Sequence, residues 1–66
     1  MGALTVAPNI DGVDDVYARL LALHDGHTLE DSLRIAARLN LILINHIGDR
    51  AVIDQAFARA EGSPPR

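Results

Sequence analysis

The residues of this chain best placed to do chemistry are His24, His27, His46, Arg34, Arg38, Asn40 and Asn45. His24 and His27 flank Asp25-Gly26. Two histidines three apart share a metal only when both lie on one helix face, and Gly26 is placed to break that helix. Histidines at a helix end ordinarily cap carbonyls and complement the dipole. His46 stands three residues before Asp49, a spacing that invites a general-base reading. No nucleophile, second base or oxyanion device accompanies it, and three short helices leave little room for a pocket of roughly 300 Å³ or more. The expectation is a chain that is not an enzyme by itself and holds no cofactor or metal.

Arg34, Arg38 and Asn45 repeat at i, i+4, i+11 and make a narrow polar stripe. Guanidinium forks suit carboxylates or phosphates, so the stripe, with His46 beside it, could recognise an acidic partner. The plainer reading is a solvated face balanced by Glu30 and Asp31. Asn40 is the more informative polar residue. Leu29, Leu33, Ala36, Asn40, Leu43 and Ile47 are spaced 4, 3, 4, 3, 4, a heptad seam with a lone amide inside it. Such an amide can pair with its symmetry mate and fix register at some cost in stability. It can also bond backbone or water within one chain, and so short a seam would serve a helical hairpin equally well.

These residues must be positioned by helices. Val13 to His24 carries Val13, Val16, Tyr17, Leu20, Leu21, Leu23 and His24 on one side at 100° per residue, an amphipathic pattern. Asp11, or else Gly12, is its candidate N-cap, Asp14 and Asp15 suit its first turn, and Asp15 pairs with Arg19 at i,i+4. Leu29 to Ile47 forms a second helix. Thr28 is its N-cap, Asp31 is a shortened capping-box partner, and Glu30–Arg34 is a well-oriented pair. Gly48 ends it. Arg50 to Ala60 forms a third, capped by Asp49, with Val52, Ile53, Ala56, Phe57 and Ala60 on its apolar side and Arg50–Asp54 paired outside. Residues 1–11 read as an extended arm, since Pro8 biases Ala7 away from helix. Residues 12–61 form the helical domain, and 62–66, within the closing EGSPPR, read as a disordered tail.

Composition bounds the function. The chain has 66 residues, no cysteine, a formal charge of −3 and 48% hydrophobic residues. A chain this short forms one marginal domain, and small scaffolds usually need a disulfide, a metal or a partner subunit. Without cysteine the disulfide is excluded, which leaves oligomerisation or a partner. An acidic chain with no lysine and no basic block is a poor nucleic-acid binder and lacks the basic face of a membrane-surface helix. No apolar run is long enough to span a bilayer, and no targeting segment is visible, so a cytoplasmic setting is expected.

Apolar residues are also in excess. Ile35, Leu39 and Ile42 lie on one flank of the heptad seam and Leu41 on the other. A helix apolar nearly all round belongs inside a larger assembly, unless the first and third helices cover both flanks. The fold class predicted is all-α, three short helices with the first two forming a hairpin, packed in a homo-oligomer or against a partner subunit. The interface residues predicted are Leu33, Ile35, Leu39, Asn40, Ile42, Leu43 and Ile47.

Pro8-Asn9-Ile10, then Asp15-x-Tyr17-x-x-Leu20, then Ala37-Arg38-Leu39-x-Leu41-x-Leu43-x-Asn45-His46-Ile47-Gly48-Asp49 resemble a family of short bacterial proteins. It is the family catalogued as domain of unknown function twenty-seven eighty-three. The resemblance covers roughly residues 8 to 60; the Asn-His-Ile-Gly-Asp stretch is its distinctive part. It implies an accessory subunit of a flavin-dependent aromatic-ring hydroxylase, and it carries over no catalytic residue. There is no dinucleotide fingerprint in this chain, so flavin would belong to the partner. A stand-alone helical homodimer with a structural role is the alternative. A small-ligand or metal-binding module using His24, His27 or His46 is a third.

Overall fold

Thr28 stops the chain at φ −69°, ψ 165° and its side chain accepts the Asp31 amide at 3.1 Å. That bond satisfies one of the orphan donors at a helix start and opens α2, Leu29–Ile47. Only half of a capping box forms. The Asp31 carboxylate is a methylene shorter than glutamate and turns instead to Arg34, at 3.3 Å. Gly48, at φ 69°, closes α2 and donates its amide to the Ile44 carbonyl. One residue later Asp49 opens α3, Arg50–Ala60, accepting the amides of Ala51 and Val52. These three caps fall where the residue types place them, and α2 and α3 have the bounds expected of them.

A computed structural model describes residues 2–62 of the chain. Its order is α1 (Val13–Ala22), α2, α3, with no strand among the described residues. The molecule is all-α. The tail expected at 62–66 falls almost wholly outside the described residues; Gly62 belongs to a turn that closes α3.

The N-cap of the first helix is Gly12, the second of its two candidates, and carries no side-chain cap; Asp11 stands just outside. Two other details of this helix differ from expectation. It ends at Ala22 rather than His24. Leu23, His24 and Asp25 donate to carbonyls three residues back, so the last expected turn tightens into a run of i→i−3 turns before Gly26. Asp15 and Arg19 form no ion pair. The pairs among the described residues are Arg34 with Glu30 and Asp31, and Arg50 with Asp54, all exposed.

The larger correction concerns which helices pair. α2 packs on α3, and α1 packs on neither. The reason lies in the connections. Gly48 and Asp49 alone join α2 to α3, and the left-handed glycine reverses the chain at once. The six residues from Leu23 to Thr28 are spent on turns and do not fold α1 back.

The packing that results is thin. Among the described residues Ile53 is the buried one, at 8% exposure, and fourteen large apolar side chains are 39–78% exposed. The surface of 5829 Å² compares with roughly 4,100 Å² for a compact monomer of 7.1 kDa by mass scaling. The chain thus hides about 43% of its unfolded surface, against about 60% for a compact domain of this size. The radius of gyration, 13.7 Å, likewise exceeds the roughly 10.8 Å of a compact chain of this length.

Candidate functional site: an open apolar groove

Residues 2–10 contain no helix or strand, yet their first part is held. The Gly2 amide donates to Asp49 Oδ2 at 2.9 Å, and the Leu4 amide donates to Gln55 Oε1 at 3.1 Å. Gln55 Nε2 donates back to the Gly2 carbonyl at 3.4 Å. One amide side chain on α3 thereby treats the arm as a neighbouring strand would. A Cβ at Gly2 would lie 2.5 Å from Asp49 Oδ2 and 2.8 Å from Val52 Cγ2, so those side chains would have to shift to admit it. Asp49 was legible as a cap. Its grip on the arm was not, because nothing in Gly2 or Gln55 marks a partner some fifty residues away.

That clamp decides the reading of His46. The Asp49 carboxylate accepts from three backbone amides, those of Gly2, Ala51 and Val52. It makes no hydrogen bond with His46, which is exposed in the last turn of α2. The two are therefore not brought together as an acid–base pair. His24 is half-buried in the turns after α1 and His27 is exposed. No group of three or more His, Cys, Asp or Glu side chains gathers to hold a metal among the described residues.

The polar stripe divides. Arg34 is held by Glu30 at 3.1 Å and Asp31 at 3.3 Å, so its fork is already engaged. Arg38 and Asn45 are exposed and take part in no side-chain hydrogen bond among the described residues.

The concave feature worth attention lies between α2 and α3. It is a groove of about 270 Å³ in which Leu43, Ile44 and Ile47 of α2 meet Ile53, Ala56 and Phe57 of α3, ending at Ala60. Asn40 is its one polar lining residue. Its volume falls just under the roughly 300 Å³ at which ligand sites begin, it is open, and its walls carry no titratable side chain. Its chemistry is that of a seat for apolar side chains.

The predicted interface residues sort by position around α2. Ile35 and Leu39 are half-buried within the chain, together with Ser32 and Ala36, one face at i, i+3, i+4, i+7. Leu33, Asn40, Ile42, Leu43 and Ile47 are exposed, Ile42 at 64%. The open surface is therefore the heptad seam apart from Ala36, with Leu41 and Ile42 exposed on its two opposite flanks, rather than the Ile35–Leu39 part. Two contributors outside the sequence-based set are Phe57, 51% exposed on the groove's far wall, and the apolar side of α1, where Val13, Val16, Tyr17, Leu20 and Leu21 are all exposed.

Fold and groove together define a small all-α chain whose second and third helices are capped by side chains at their N-termini but whose apolar faces are mostly uncovered. Residues 4–62 match the family described as Protein of unknown function (DUF2783), and the chain belongs to that family. No curated protein and no solved structure matches it.

Proposed function

We propose that this chain is a protein-interaction module that completes its hydrophobic core by packing against another polypeptide. The observation that carries this is the surface: about 1,700 Å² more than a compact chain of this mass exposes, with Ile53 the one buried residue among the described residues. Monomers rarely leave contiguous apolar patches of more than a few hundred Å². Here the seam of α2, the groove it shares with α3 and the apolar side of α1 are all open. In this reading the chain performs no chemistry of its own and holds no cofactor, in keeping with an Asp49 committed to backbone amides.

The finer reading is an accessory or stabilising subunit of a larger enzyme, such as a flavin-dependent aromatic hydroxylase. Its support is the family resemblance. In that reading Ile42 and the seam dock on the enzyme, and Arg38 with Asn45 orients the contact. A cytoplasmic setting goes with it; no helix among the described residues is long and apolar enough to cross a membrane.

The test is a native pull-down with the chain as bait, identified by mass spectrometry, beside Ile42→Asp. The proposal expects self-association or a specific partner, and a partner docked on Ile42 and the seam is weakened at least tenfold by Ile42→Asp. A chain that is monomeric, cooperatively folded and without any partner would refute it. A partner bound equally well by Ile42→Asp would remove Ile42 and the seam around it as the docking surface.

A further inference from the structure

We propose that the occupant of the α2–α3 groove is α1 of a second copy of this chain, exchanged reciprocally so that each copy fills the other's groove. This rests on the interaction reading above and names its partner.

The two halves of the contact are both present and both unused. The groove has no helix in it, and α1, which packs on neither α2 nor α3, offers a continuous apolar stripe at i, i+3, i+4, i+7, i+8 from Val13 to Leu21. Their lengths agree. The stripe rises about 12 Å, and the groove wall from Asn40 to Ile47 rises about 10.5 Å at 1.5 Å per residue. Their polar atoms also agree in number. Tyr17, 59% exposed, is the one side chain of the stripe with a polar tip, and Asn40 is the one polar residue lining the groove. A buried tyrosine hydroxyl and a buried amide each need a hydrogen-bond partner, and each supplies the other's.

The area fits as well. A standard stable interface buries about 800 Å² per partner, and the surplus surface of this chain is roughly twice that. A reciprocal contact is isologous, so it closes at two copies. It also covers the groove and the α1 stripe at once, whereas a helix supplied by an unrelated protein would cover only the groove.

Light scattering on the full chain at micromolar concentration tests it. The expected mass is a dimer, and Tyr17→Phe, which removes only the hydroxyl, raises the dissociation constant roughly tenfold by leaving the Asn40 amide unpaired. Leu20→Asp, which spoils the stripe, and Phe57→Asp, which spoils the groove, are each monomeric alone. Mixed together they regain a dimer, because one intact stripe still meets one intact groove. Recovery on mixing also shows that neither variant had simply misfolded. A dimer indifferent to Leu20→Asp, or a mixture that stays monomeric, overturns the proposal. A monomeric wild-type chain that still captures a different protein in the pull-down overturns it while leaving the interaction reading intact; a monomeric, partnerless, stable chain sinks both.

Discussion

Asp49 carries more of this structure than any other side chain. Its carboxylate caps α3 through Ala51 and Val52 and holds Gly2 at 2.9 Å. Loss of an N-cap typically costs about 1 kcal/mol and up to about 2. Asp49→Ala is therefore expected to lower unfolding stability by about 1–2 kcal/mol in denaturant titration at fixed protein concentration, with Asp49→Asn costing much less. A stability unchanged by Asp49→Ala would show that the cap is not formed in solution. Gly2→Ala acts on the same clamp from the other side, since its Cβ would force the Asp49 and Val52 side chains to shift. The expected outcome is faster hydrogen exchange at the Leu4 amide with helical circular dichroism unchanged. Arg34, by contrast, holds two carboxylates at the surface, and exposed pairs contribute little. Caps and charge pairs follow from residue type and spacing, which is why Thr28, Asp49, Glu30–Arg34 and Arg50–Asp54 were legible in the sequence. The Asp15–Arg19 pair satisfied the same spacing rule and does not form.

At the scale of the element, α2 and α3 were legible because each is bracketed by strong local signals: an Asn/Asp/Ser/Thr-type cap before and, for α2, a left-handed glycine after. Gly48, at φ 69°, is the single point where the α2–α3 turn depends on an absent Cβ. Gly48→Ala is expected to destabilise the chain by about 1 kcal/mol or more, read by thermal melts at matched concentration. If the melt does not move, the turn is reached by another geometry. The pairing of helices was less legible than their ends. Periodicity marks Val13–Leu21 as apolar on one side, but it says nothing about which helix that side meets. The expected α1–α2 hairpin failed on connection geometry, which a hydrophobic pattern does not encode. Groove residues such as Phe57 were read only as an apolar face of α3 for the same reason.

For the molecule as a whole, the quantity that matters is the ratio of hidden to exposed surface. A chain that buries about 43% of its unfolded area, where about 60% is usual, gains stability from whatever covers the rest. Anything that binds only the folded state raises apparent stability by mass action. The midpoint of thermal unfolding is thus expected to climb by several degrees per tenfold rise in chain concentration, followed by circular dichroism. A midpoint independent of concentration would place the missing burial inside one chain or on a different protein.

The Gln55–Asp49 clamp has a kinetic corollary. Its hydrogen bonds join residues 47 to 53 positions apart, whereas each helix forms from neighbours a few positions apart. Closing so long a loop carries an entropic toll that local turns escape. The N-terminal segment should accordingly latch last during refolding and come loose first on warming, leaving the three helices standing.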